Sequence, residues 1–255
     1  MRKTFMIIGI LFFSIYTLAG AFLFLNQEEL LYHPPTGTTH NLETLVFEND
    51  GLKINVLLSN SPSKDAIIYL GGNAEDVLRN VSYYQVAFPD KRIYFMRYRG
   101  YGYSEGHPSQ KGLFSDAIKL FDLVKDKHET ITVIGRSLGT GVATYLASER
   151  DVDKLVLVTP YDSIARVAKA KFPMYPVDIM LRDKYPSYKY APTVKAKILV
   201  LIAAQDEVIP RESSVSLMKE FDQEDLSFGI IDGATHNSIA SHDHYKKMIE
   251  EFVSD

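Results

Sequence analysis

Ile131-Thr132-Val133-Ile134-Gly135-Arg136-Ser137-Leu138-Gly139-Thr140-Gly141 is a β-branched run that ends in a serine flanked by glycines. The first four residues favour a strand, the pattern G-x-S-x-G follows at once, and the small residues onward to Glu149 favour a helix. A strand-to-helix turn this sharp holds its serine in a strained backbone conformation. Side chains beside the serine would strike neighbouring backbone, so glycine is the residue type required at 135 and 139. The Ser137 hydroxyl then stands at a helix N-terminus, where the dipole and free N–H groups favour developing negative charge. The Leu138 N–H becomes a donor to such a charge. Two other readings stand beside this one. The turn can be inert structure, or the glycines can form a dinucleotide loop. Against the loop, Gly139-Thr140-Gly141 is followed by Thr144 where the fingerprint requires Gly or Ala, and no Lys-Ser/Thr pair marks a phosphate loop.

Around this turn the chain alternates strand-like and helix-like stretches, the pattern of a mostly parallel sheet with helices on both faces. Eight strands are predicted at 42–48, 53–58, 66–70, 92–98, 131–134, 155–158, 198–202 and 227–231. Those at 131–134, 155–158 and 198–202 are apolar without alternation, as expected of central strands covered on both sides. Helices are predicted at 75–87, 110–127 with Ser109 as cap, 138–149, 212–221 and 242–253. The regular alternation breaks at 161–193, where Pro173, Pro176, Pro186 and Pro192 lie among aromatic and basic residues, and an insertion over the site is expected there. The length of 255 residues suits one α/β domain. A formal net charge of -4 without long basic runs offers no footprint for a phosphate backbone, so nucleic acid is not an expected partner. The chain has no cysteine, which removes disulfides, thiolate metal sites and a cysteine nucleophile.

The other prominent feature is an apolar run from Phe5 to Leu25, preceded by Met1-Arg2-Lys3 and followed by Glu28-Glu29. As a helix its 21 residues span about 30 Å, the thickness of a bilayer core. The division expected is a membrane anchor over 1–26 and a catalytic domain over 27–255. The position of Arg2 and Lys3 puts the N-terminus in the cytoplasm and the domain on the outer side. The alternative is a secretory signal cleaved at Ala19-Gly20-Ala21, although Phe22-Leu23-Phe24-Leu25 continues the apolar run past that point.

The serine turn, together with Gly72-Asn73-Ala74, Arg99-Gly100-Tyr101-Gly102, Tyr161-Asp162-Ser163 and Asp206-Glu207-Val208-Ile209-Pro210, resembles the α/β-hydrolase superfamily over residues 40–255. Within it, the likeness is to a group of small membrane-anchored serine hydrolases that includes thioesterases removing fatty acyl groups from proteins and proteins labelled serine aminopeptidase-like. The resemblance implies an α/β-hydrolase fold, and a second oxyanion donor in the backbone N–H of Asn73. The family's loop there usually reads His-Gly-Asn-Ala-Gly. This chain has Gly71 in place of the histidine and Glu75 in place of the last glycine.

A serine hydroxyl needs a neighbouring imidazole to take its proton. His236, between the last predicted strand and the last predicted helix, stands where the superfamily carries its base. A metal cluster of His236 with His242 and His244 is disfavoured, because only Asp243 could join it, and no metal or other cofactor is expected. Asp206 matches the superfamily's acid position and completes the chain order Ser, Asp, His; Asp162 is the competing acid. Arg97, Arg99 and residues 101–105 are read as loop packing near the rim. Hydrolysis of a carboxylic ester or thioester through an acyl-serine is the expected reaction, on a small-molecule or acylated substrate. The alternatives are a peptidase or amidase using the same three residues, and an inactive membrane-tethered binding protein.

Overall fold

The computed structural model describes residues 2–60 and 62–255. Met1, the first residue of the expected anchor, lies outside the described residues. The apolar run forms one helix, α1 (Arg2–Leu25), followed by a short α2 (Gln27–Leu31) inside what reads as a linker in sequence. All eight predicted strands are present: β1 (Thr44–Asn49), β2 (Leu52–Ser59), β3 (Asp65–Leu70), then β4 (Arg92–Met96) after helix α3 (Val81–Ala87). Helix α4 (Gln110–Val124) leads to β5 (Thr130–Arg136), α5 (Leu138–Glu149) and β6 (Lys154–Val158). The proline-rich segment 161–193 contains α6 (Ile164–Lys171), α7 (Val177–Met180) and α8 (Ser187–Tyr190). The chain closes with β7 (Lys197–Ala203), α9 (Arg211–Met218), β8 (Leu226–Ile231) and α10 (Asp243–Ser254).

The strands form one sheet in the order β1-β2-β4-β3-β5-β6-β7-β8. Strand β2 pairs antiparallel with both β1 and β4, and every pair from β4 through β8 is parallel. Because β3 lies between β4 and β5, the chain reverses its direction of travel there. The crevice at the C-terminal ends of β3 and β5 is a topological switch point, the place where open α/β sheets bind ligands.

Alternation along the strands divides the core in two. Ile68 and Leu155 point into a cluster with Leu113 of α4 and Val142 of α5, while Ile67 and Val156 point into a second with Tyr84 of α3 and Ile249 of α10. Helices therefore cover both faces, as the unalternating strands require.

Three predicted helices begin or end differently in the structure, among them α9, which ends at Met218 and not at residue 221. The stretch expected as a helix from residue 75 starts as a 3-10 turn, Val77–Asn80, because the Asp76 carboxylate accepts the Leu78 N–H. The α4 helix ends at Val124 and runs on as a 3-10 turn, Lys125–Lys127. Ser109 caps α4 by accepting the Gly112 N–H at 3.1 Å. Helix α6 has a legible sign in sequence: Ser163 caps it through the Arg166 N–H, ahead of the alternating small and basic residues Ala165 to Lys171.

A buried ion pair ties the loop after β4 to α4. The fully buried Asp116 receives Arg99 Nε and Nη2 at 2.7 Å each and Asn49 Nδ2 at 2.7 Å. Asp116→Ala is expected to cost about 3–5 kcal/mol in chemical denaturation, because it leaves a buried guanidinium with only the exposed Asp50 carboxylate, 3.1 Å away, as partner; a loss under 1 kcal/mol, roughly the worth of an exposed pair, would contradict this.

Candidate active site

The turn at residue 137 is as strained as its sequence demands. Ser137 has φ +49° and ψ −117°, and its N–H is held by the Val158 carbonyl at 2.9 Å. A Cβ on Gly135 would lie 2.6 Å from the Gly139 carbonyl oxygen. One on Gly139 would collide with the Leu70 carbonyl and lie 2.6 Å from that of Gly71. The start of α5 thus sits directly on the ends of β3 and β5, and only glycine permits that approach.

Ser137 Oγ lies 2.8 Å from His236 Nε2, and His236 Nδ1 lies 2.8 and 3.0 Å from the two carboxylate oxygens of Asp206. An ionised carboxylate only accepts, so Nδ1 carries the proton and Nε2 is left to accept from the serine hydroxyl. Asp206 Oδ1 also takes the N–H groups of Val208 and Ile209 at 2.9 and 2.8 Å. Burial alone would raise the Asp206 pKa. The His236 ring and these two backbone donors outweigh it, and hold the carboxyl below the usual carboxylate range. The His236 backbone is fixed in turn, its N–H donating to Glu207 at 3.1 Å.

Asp162, the competing acid, bonds elsewhere. Its carboxylate accepts Ser213 Oγ at 2.6 Å, the Ser163 N–H at 2.7 Å and Arg166 Nη1 at 2.6 Å, which ties the end of β6 to α6 and α9. The rim residues are packing groups for the most part. Tyr101 is the exception of interest, because its hydroxyl donates to Asn73 Oδ1 at 2.9 Å.

Asn73 is anchored on every side. Its Oδ1 also accepts the His33 N–H at 3.0 Å, and its Nδ2 donates to the Leu31 carbonyl, so the chain leaving α2 is bonded to the loop after β3. Among the described residues, the backbone N–H groups of Asn73 and Leu138 have no protein acceptor. Both residues line the same cleft as Ser137.

Glu75 is a site residue that sequence reading passed over. Its Oε2 accepts the Gly72 N–H at 2.8 Å and Arg136 Nη1 at 2.6 Å, and its Oε1 accepts Tyr69 Oη at 2.7 Å and Asn80 Nδ2 at 2.6 Å. Arg136 reaches on to the His236 carbonyl at 3.4 Å. One partly buried ion pair therefore joins the loop after β3, the serine turn and the histidine loop. The two departures from the family's loop are linked: a Cβ at Gly71 would lie 2.8 Å from Val77 and 3.1 Å from the Glu75 carboxylate. Val77 and the glutamate together take the space a residue-71 side chain would need. The acidic residue at 75 and the arginine inside G-x-S-x-G were the available signs in the sequence.

The cleft above Ser137 has a volume of about 430 Å³. It is mainly apolar. Ile164, Val167 and Met180 of the insertion form part of one wall, and Leu23 and Phe24 of α1 with Leu30 of α2 form part of another. The wall crosses the boundary expected at residue 26.

Glu75→Gln keeps the shape but removes the charge facing Arg136, and is expected to lower kcat about tenfold or more with little change in KM; an unchanged kcat would show that the three loops hold their places without it. A depressed Asp206 pKa stabilises the fold fully above the ordinary carboxylate value of about 4, and that contribution disappears as pH falls through the lower folded value. Asp206→Asn is therefore expected to flatten the acid limb of stability below about pH 4, read by thermal unfolding across pH.

A sequence profile described as the alpha/beta hydrolase fold matches residues 66–186. An uncharacterized protein of Mycobacterium tuberculosis is 28% identical over 232 residues, covering 85% of this chain and 82% of that protein. The alpha/beta hydrolase domain-containing protein aho-3 of Caenorhabditis elegans is 32% identical over 193 residues, covering 73% of this chain and 57% of that longer protein. Among solved structures, an esterase of Pyrococcus furiosus superposes with a TM-score of 0.70 at 18% identity, covering 88% of this chain and 97% of the esterase. The profile matched over residues 66–186 and the likeness of fold over most of the chain agree: the chain has the α/β-hydrolase fold.

Proposed function

We propose that the chain is a serine hydrolase that cleaves a carboxylic ester or thioester through an acyl-Ser137 intermediate. The observation that carries this reading is the unbroken relay from Asp206 through His236 to Ser137, with 2.8 Å at each junction, at the floor of a mainly apolar cleft. Ser137 Oγ attacks the acyl carbon while its proton passes to His236 Nε2. The resulting oxyanion is received by the N–H groups of Asn73 and Leu138. The imidazolium, steadied by Asp206, then gives its proton to the leaving oxygen or sulfur as the acyl bond breaks. A water enters, loses its proton to Nε2 and attacks the acyl-serine, and the proton returns to Oγ as the carboxylic acid departs.

The cleft favours an ester or thioester over a peptide. Its walls offer apolar area for an acyl group and few polar groups for the repeating amides of a polypeptide. The esterase activity of the Pyrococcus furiosus relative in fold is consistent with this class. Helix α1 is read as a membrane anchor, with Arg2 and Lys3 on the cytoplasmic side and the catalytic domain outside. The segment 161–193 is read as the cap of the site.

A fluorophosphonate probe is expected to label the wild-type chain and not Ser137→Ala; labelling of both, or of neither, would count against the reading. Asp206→Asn is expected to lower turnover on the order of 10³–10⁴-fold by disturbing the imidazole's tautomer. Asp162→Asn is expected to cost far less in folded protein, and the reverse ranking would transfer the acid's role.

A further inference from the structure

Helix α1 does more than lead into the domain, because it packs side by side with the cap. Tyr16 Oη donates to the Met174 carbonyl at 2.7 Å, and Tyr175 Oη donates to the Tyr16 carbonyl at 3.3 Å. The two rings stack with centroids 4.7 Å apart and planes 10° from parallel. Gly20 lies beneath the Tyr175 ring, where a Cβ would come within 3.1 Å. Below them Gln27 acts as a clamp. Its Oε1 accepts the Arg182 N–H at 2.7 Å, while its Nε2 donates to the Phe24 and Met180 carbonyls at 2.7 and 3.4 Å. The cap is therefore held to α1 at two levels.

The upper level lies deep along the apolar helix. At 1.5 Å per residue, Gly20 and Tyr16 stand about 8 and 14 Å before its end at Leu25. With α1 across a bilayer whose hydrocarbon core is about 30 Å thick, that depth falls within the leaflet on the domain's side. The part of the cap that reaches it is dressed for lipid: Met174 is 74% exposed and Ile179 84% exposed, with Phe172 and Pro173 exposed beside them. The nearby charges are matched or long enough to reach outward. Lys169 pairs with Asp178 at 2.9 Å and Arg182 with Glu28 at 3.6 Å, and an exposed Lys171 can extend its ammonium to the headgroups. The cleft that contains Ser137 is lined by both of these elements, by Leu23 and Phe24 of α1 and by Phe172 and Tyr175 of the cap.

We propose that the tip of the cap, residues 172–180, is inserted in the leaflet beside α1, and that the cleft receives the acyl chain of a membrane lipid ester sideways from that leaflet. This rests on the hydrolase reading above and on α1 lying in the bilayer, and it gives the substrate a class and a route. The anchor is then part of the binding site, since the helix that holds the enzyme at the membrane also supplies one wall of its cleft.

The chain contains no tryptophan, so one introduced at the tip reports alone. Full-length Met174→Trp and Ile179→Trp would be reconstituted in phosphatidylcholine vesicles with and without bromine at mid-chain. The expected result is blue-shifted emission that the brominated lipid quenches at least twofold; water-like emission without quenching would overturn the insertion. In the same vesicles, Met174→Glu with Ile179→Glu is expected to leave hydrolysis of a water-soluble butyryl ester unchanged. Hydrolysis of a long-chain glycerol ester dissolved in the bilayer should fall tenfold or more, and equal rates with wild type on that ester would overturn the route. Turnover of an S-acylated peptide, with none of the lipid ester by wild type, would overturn the substrate class. Fluorophosphonate labelling of Ser137 in each sample separates the two readings. A labelled serine with an unquenched tryptophan sinks only this proposal, whereas an unlabelled serine with a quenched tryptophan sinks the hydrolase reading and leaves the depth of the cap standing.

Discussion

Backbone contact between the start of α5 and the ends of β3 and β5 is the constraint from which the rest of the site follows. The Leu70 and Gly71 carbonyls press on Gly139, and the Gly139 carbonyl presses on Gly135, so no side chain fits at either glycine. That closeness forces Ser137 to a positive φ and lifts its hydroxyl above the sheet, and it leaves the Leu138 N–H at an open helix end. A strained residue persists only where its surroundings over-determine it. Here the Val158 carbonyl fixes the Ser137 N–H, and the Tyr161 hydroxyl, donating to the Leu138 carbonyl at 2.9 Å, fixes the next peptide.

Three loops from distant parts of the chain must then meet at the serine, and the Glu75–Arg136 pair is the device that joins them. It is partly buried and every oxygen of the carboxylate is used, which is the condition under which such a pair gives rigidity rather than an unmet desolvation cost. The arrangement also accounts for a loop without the family's usual histidine. What that side chain would occupy is filled from residues 77 and 75, and the Gly71 carbonyl is bonded by the Tyr98 hydroxyl at 2.9 Å.

The N-terminal helix and the segment 161–193 are bonded to each other. Hydrogen bonds of Tyr16, Gln27 and Tyr32 tie the first 32 residues to the segment 174–185; Tyr32 donates to the Asp183 carboxylate at 2.7 Å and accepts from the Tyr185 hydroxyl at 2.8 Å. Burial pushes the Tyr32 phenol well above its ordinary range, so this group stays protonated and remains a donor. A cleft closed by two elements so joined has a shape that depends on both.

The eight strands, the serine turn and the apolar N-terminal helix were all legible in the residues, because each is written in a local signal. Periodicity, β-branching and glycine placement act over a few positions, and a bare apolar run of bilayer length needs no partner to be recognised. Helix α6 was missed although Ser163 and the residues after it carried a cap and a helical pattern, since the prolines downstream masked it. What only the tertiary structure decided was which distant groups face one another: Asp206 rather than Asp162 against His236, Glu75 against Arg136, and α1 against the cap rather than alone. No short-range pattern encodes those pairings. They arise where the sheet's switch point and the crossover loops bring chain segments together that lie up to about 160 residues apart.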